Sequence, residues 1–200
     1  MSTKNRATGL FYLLISGLFV FGCQSRSTNA NDATDTSNVG TNGLSSVTGL
    51  TETNALAKLN AVNQNEIDAA MLAQRKNISG AAMDYAKMLE KEHADNMDRT
   101  KQLAGSLGIS IGMNDEAQEI RNKGSEMMAT LQAKEGQEFE DAYITAMING
   151  HTEALTMLDN SINIVNNDSV QQHLEETRSH VATHLEKAKE LQKKQPQVAQ

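Results

Sequence analysis

Six ionisable side chains are spaced so that they would meet at one level of a helical bundle. They are Glu66, Glu90, His93, His151, His180 and His184. Counted from the nearest predicted turn, each lies roughly 18–26 Å along its own helix at 1.5 Å per residue. Imidazole nitrogens and carboxylate oxygens are ligands that Zn, Cu and Fe accept in proteins. The spacing therefore indicates a site for one transition metal ion at mid-height of the bundle.

The pair Glu90 and His93 has the Glu-x-x-His spacing of di-iron carboxylate bundles. In such bundles two helices carry this motif, and each of the other two helices contributes a glutamate. The positions three residues before His151, His180 and His184 hold no carboxylate. The pattern therefore argues against a ferroxidase centre and favours a mononuclear site.

A second interpretation needs no metal. Core histidines in a helical bundle are often packing residues with a hydrogen-bond partner, and Glu66 would serve as such a partner. Met97 and Met147 lie one turn from His93 and His151, where thioethers would suit copper(I) or simply fill the core. The sequence shows no nucleophile–base pair and no phosphate-binding glycine loop, so no enzymatic activity is assigned. The alternative function is a structural or interaction module.

The elements that must position these residues are helices. Apolar residues recur every three or four positions, the chain has one proline, and no segment alternates like a strand. Asn114 is a predicted N-cap for a short helix, and Asp168 for the last long helix. The predicted helices are 51–77, 79–107, 115–134, 137–165 and 168–194.

Four long helices with narrow apolar stripes bury those stripes only against one another. The first and last pairs are joined by short turns, so each pair forms an antiparallel hairpin. The longer connection between the pairs contains the short helix and allows a crossover. The predicted fold is all-α: a ferritin-like antiparallel four-helix bundle with one long crossover containing a short extra helix.

The N-terminal segment predicts export and lipid anchoring. Lys4 and Arg6 precede an apolar stretch from Leu10 to Phe21, and Cys23 follows. This order resembles the lipobox of bacterial lipoproteins. Residues 1–22 are thus the predicted signal peptide, 23–50 a lipidated cysteine with a flexible tether, 51–194 the bundle and 195–200 a disordered tail.

Charge and cysteine content restrict the partners. The formal net charge is −7 and no basic patch occurs, which argues against nucleic acid. Cys23 is the only cysteine, so an intramolecular disulfide is excluded. The predicted partner is a membrane, held through lipid on Cys23, and the sequence indicates no particular protein partner. The residue after Cys23 is Gln24, and the lipoprotein resemblance then favours the outer membrane, facing the periplasm.

Several blocks together resemble a known family. They are residues 65–67, 85–93, 138–144 leading to His151, and 180–191 around His184. The set is similar to a ferritin-like family of domains of unknown function in bacterial envelope proteins, often named as outer membrane proteins. The resemblance covers about residues 50–191 and implies an exported ferritin-like bundle without an agreed activity. Glu66, His93, His151 and His184 match that family's polar pattern.

Overall fold

The computed structural model describes residues 41–76, 78 and 80–195, with side chains from residue 49 onward. The predicted signal peptide, Cys23 and the last five residues lie outside this range. The helices are α1 (Thr41–Arg75), α2 (Gly80–Ser106), α3 (Asp115–Gln132), α4 (Gly136–Ile162) and α5 (Asp168–Lys194). No strand occurs in the described ranges, which confirms the all-α prediction. None of the described helices is long and apolar enough to cross a membrane.

Helix α1 begins at Thr41, earlier than the predicted start at Thr51. Residues 41–50, predicted as part of the tether, are therefore helical. Their Ser, Thr, Asn and Gly content gives a weak intrinsic helix propensity. Extending an existing helix avoids the cost of nucleation, because each added residue gains one backbone hydrogen bond. The other predicted domain boundaries stay predictions.

The helices pack as two antiparallel hairpins linked by a crossover. Helix α1 pairs with α2, and α4 pairs with α5. Between the hairpins α1 contacts α4 and α2 contacts α5, while α3 runs along α1. The Lys76 ammonium, just after α1, donates to the carbonyls of Gln132 and Lys134 at 3.1 and 2.9 Å, so α3 returns the chain to this end. The predicted bundle with one long crossover is confirmed.

Local signals explain most helix ends. The Asn114 side chain accepts a hydrogen bond from the Ala117 amide at 2.8 Å and caps α3, as predicted. The predicted cap of α5 is wrong by one residue: Asn167 accepts from two backbone amides, and Asp168 is already helical. Gly108 ends α2 with φ of 67°, a conformation that glycine adopts at little cost.

A polar layer divides the core at mid-height. The apolar cluster nearest the α1–α2 turn includes Leu89, Phe139 and Tyr143. The cluster nearest the α4–α5 turn includes Leu56 and Leu158. Between them lie buried polar side chains from all four long helices: Asn63, Glu66, His93, Asn96, His151, Thr177 and His184. The polar layer therefore lies between two apolar clusters of the bundle.

Candidate metal centre

Three buried histidines from three helices meet in the polar layer. His93 lies on α2, His151 on α4 and His184 on α5. Their ring centroids are 6.0 Å apart for His93 and His151, 5.2 Å for His93 and His184, and 5.4 Å for His151 and His184. One nitrogen from each ring lies within 4.8 Å of the other two. We call these three residues the histidine cluster.

The His93 ring is held by a hydrogen-bonded pair of asparagines. Asn63 Nδ2 donates to Asn96 Oδ1 at 2.7 Å, so the amide oxygen of Asn63 is left as an acceptor. This oxygen lies 2.9 Å from His93 Nδ1. In neutral His93 the proton must therefore be on Nδ1, and Nε2 carries a lone pair.

The other two rings are fixed by partners of their own. His184 Nε2 lies 2.8 Å from Glu92 Oε2, an acceptor, so the His184 lone pair is on Nδ1. His151 is hydrogen-bonded to the backbone of Met147, and Tyr85 Oη lies 3.5 Å from His151 Nδ1. Partners of this kind orient metal-binding histidines and set their tautomer.

Four buried polar atoms in this layer have no hydrogen-bond partner among the described residues. They are Glu66 Oε2, His93 Nε2, His151 Nε2 and His184 Nδ1. Buried polar groups in folded proteins are nearly always paired, because leaving one unpaired costs about 1–3 kcal/mol. Four such atoms lie in one layer, one from each long helix, and the three histidines among their residues could hold a metal ion.

Glu66 completes the layer from α1. Its Oε2 lies 3.8 Å from His151 Nε2. Burial raises the pKa of this carboxyl to about 8, so near neutral pH the group is mostly protonated. A nearby cation would favour the carboxylate instead. Gly150 allows this arrangement, since a Cβ there would lie 2.9 Å from Glu66 Oε1.

The imidazoles are held in their neutral form. Burial, together with the neighbouring His151 and His184, holds the pKa of His93 well below its usual range. Burial also lowers the pKa of His151 to about 3. Burial lowers the pKa of His184 as well, although its bond to Glu92 acts in the opposite direction. Neutral imidazole is the form that binds metals, so no proton must be displaced from these rings.

Besides Glu66, two of the six predicted site residues lie outside the histidine cluster. Glu90 turns towards α1, where its carboxylate accepts a hydrogen bond from Gln74. His180 is an exposed residue one turn before His184, and its Nδ1 lies 3.7 Å from Glu92 Oε2. Met147 belongs to the apolar cluster nearest the α1–α2 turn.

Asn63 and Glu92 are hydrogen-bond partners of the histidine cluster that the sequence did not predict. Asn63 is a polar residue beside the apolar stripe of α1, which is a weak signal of a buried partner. Glu92 follows a charged pair on α2, and its spacing does not distinguish it from a solvated helix face. Their roles depend on which helix each faces.

Comparisons with known proteins give a family but no named activity. Neither the curated proteins nor the solved structures include a significant match. Residues 36–191 match the family described as a domain of unknown function, DUF4142. Because the match spans well over half of the sequence, the chain belongs to the DUF4142 family.

Proposed function

We propose that this protein binds one transition metal ion in the polar layer of its bundle. The ligands are the three nitrogens of the histidine cluster and Glu66. The observation that carries the proposal is the set of four buried polar atoms, one from each long helix, that have no hydrogen-bond partner among the described residues. The three histidines among these four residues each offer a ring nitrogen within 4.8 Å of the other two. The hydrogen bonds at His93 Nδ1 and His184 Nε2 support the proposal further, because partners of this kind orient metal-binding histidines.

The ligand chemistry favours Zn, Cu or Fe. Three imidazoles and one carboxylate offer nitrogen and oxygen donors, which suit these ions, whereas no thiolate is present in the described residues. Four protein ligands satisfy a tetrahedral ion, as in sites that hold a metal rather than use it in catalysis. We therefore propose metal binding or buffering rather than an enzymatic reaction.

The test is elemental analysis of the purified full chain and its histidine variants. We expect about one metal ion per chain in the wild type and its loss in His93→Ala, His151→Ala and His184→Ala. His173→Ala is the matched control. His173 is also a buried histidine, but its Nε2 is paired with Thr100 Oγ1 at 2.8 Å. Circular dichroism confirms that each variant is helical.

Two results would contradict metal binding. One is a wild-type chain without metal after purification and incubation with Zn²⁺, Cu²⁺ or Fe²⁺. The other is metal content that survives in all three cluster variants, or that falls equally in His173→Ala.

The second candidate function is a structural or interaction module. It is favoured by the hydrogen bonds that continue the polar layer below the histidines. Asn96 Nδ2 donates to Thr177 Oγ1 at 2.8 Å, and Thr100 Oγ1 is hydrogen-bonded to His173 Nε2 at 2.8 Å, so both bonds join α2 to α5. Such a layer can specify helix packing without a ligand. A chain without metal, in which the histidine substitutions change only stability, supports this function instead.

We also propose that the bundle is held at the bacterial outer membrane, facing the periplasm, by lipid on Cys23. The basic start, the apolar stretch before Cys23 and the following Gln24 support this proposal. In that compartment the site would meet envelope metals. Cys23→Ser should abolish lipid labelling and release the protein from the membrane fraction. Unchanged labelling and fractionation would refute the anchor.

A further inference from the structure

We propose that the groove between α2 and α5 is the route by which a divalent cation reaches the histidine cluster, with Glu92 and His180 as an outer binding pair. This inference rests on the proposed function. It adds a second cation-binding position and a direction of approach.

The groove leads directly to the buried ligands. It has a volume of about 490 Å³, and His93 and His184 both line it. Both side chains are almost completely buried, and both have a ring nitrogen without a partner in the described part of the bundle. An ion at the bottom of this groove would therefore already be beside two of the proposed ligands.

One carboxylate connects the surface to the cluster. Glu92 Oε2 lies 3.7 Å from Nδ1 of His180 and 2.8 Å from Nε2 of His184. The exposed fraction of the side chain falls from 56% for His180 to 37% for Glu92 and 3% for His184. Only the His184 ring would separate a cation bound by Glu92 and His180 from the inner site. Transfer of this cation is an exchange of ligands, in which Glu92 releases His184 and frees that ring to turn.

The charge of the groove also attracts cations. Its lining carries the acidic residues Glu92, Asp95 and Asp98 and one cation, Arg99, among the described residues. Clefts with an excess of one charge raise the local concentration of the opposite ion and its association rate. Two of these carboxylates are in ion pairs with lysines outside the lining, Lys91–Asp95 and Lys101–Asp98. Both pairs are exposed, so they are weak and readily exchanged.

A second groove provides the comparison. It lies between α1, α3 and α4, has a volume of about 680 Å³ and reaches Glu66. Its charged lining is Lys58 and Lys123 against Glu66 and Glu153. This groove has no excess of acidic residues, so the approach from α2 and α5 is favoured on charge.

Stopped-flow measurement of Co²⁺ binding to the full chain tests the route. Two variants should impair the proposed route. One is His180→Ala, and the other is the double variant Asp95→Asn/Asp98→Asn. We expect both association rate constants to fall by at least about fivefold, because His180→Ala removes a ligand of the outer pair and the double variant weakens electrostatic steering. The equilibrium constant should stay within about twofold, so the dissociation rate must fall in parallel. Glu153→Gln, in the other groove, is the matched control and should behave as the wild type.

The possible results separate the route from the site. Unchanged association rates in both variants, with normal Co²⁺ stoichiometry, would overturn the route and leave the inner site in place. An equal slowing in Glu153→Gln would also overturn it. Loss of stoichiometric binding in His180→Ala would make His180 an inner ligand and refute the outer pair. A wild-type chain that binds no Co²⁺ would overturn both proposals.

Discussion

Glu66→Gln should stabilise the metal-free protein, and the gain should depend on pH. The substitution keeps the shape of the side chain but removes its ionisation. Burial raises the pKa of Glu66 from an ordinary value of 4.5 to about 8 in the folded state. Between these two values the unfolded chain releases the proton and the folded chain keeps it. Raising the pH through this window therefore lowers the stability of the wild type.

The size of the effect follows from the two pKa values. At pH 7 ionisation of Glu66 favours the unfolded chain by about 3 kcal/mol, because the folded chain is still mostly protonated. At pH 5 the same difference is only about 1 kcal/mol. The advantage of Glu66→Gln over the wild type should therefore grow by about 2 kcal/mol between pH 5 and pH 7. The histidines titrate in both proteins, so their contributions largely cancel in the difference.

Urea denaturation after treatment with a chelator, at pH 5, 6 and 7, measures this difference. The free energies of unfolding of the two proteins are compared at each pH. A difference that does not change with pH would refute the reasoning, because it would mean that Glu66 ionises equally easily in both states.

Added Zn²⁺ gives the same variant a second readout. A ligand at 100 times its dissociation constant stabilises the folded state by about 2.7 kcal/mol. The wild type should gain such an increment, and Glu66→Gln should gain less, since an amide is a weaker ligand than a carboxylate. If the pH effect is present and the two Zn²⁺ increments are equal, Glu66 is buried as described but does not bind the metal.

Three further predictions concern groups that support the site or the fold. Asn63→Ala removes the acceptor that orients His93 and should weaken metal affinity by about 10–100-fold, measured by competition with a chromophoric chelator; unchanged affinity would argue against that role. Glu52→Ala should lower the free energy of unfolding by about 1–3 kcal/mol, because the Glu52 carboxylate accepts from two backbone amides at the α4–α5 turn; urea titration would show no change if water replaces it fully. Gly124→Ala should cost about 1–3 kcal/mol, since its Cβ would overlap a side chain of α1, whereas Gly105→Ala meets open space and should be neutral or stabilising; equal effects would contradict the close approach of α3.

The sequence predicts the fold well because helical periodicity and length are local properties. The spacing of apolar residues indicates five helices, and the lengths between turns place the histidines at one height. Three of the six predicted site residues do form the histidine cluster, and Glu66 lies 3.8 Å from one of them. The composition of residues 41–50 wrongly predicted that α1 starts at Thr51. Whether a helix continues through a residue depends on its neighbours as well as on its own helix propensity.

Rotation about each helix axis is what only the tertiary structure decides. Glu90 and Glu92 lie two residues apart on α2, and either has the right height for the site. Packing turns Glu90 towards Gln74 on α1 and Glu92 towards His184 on α5. Height along a helix follows from 1.5 Å per residue and can be counted in the sequence. The packing of all the helices together decides which neighbouring helix a side chain contacts. No local sequence pattern predicts this.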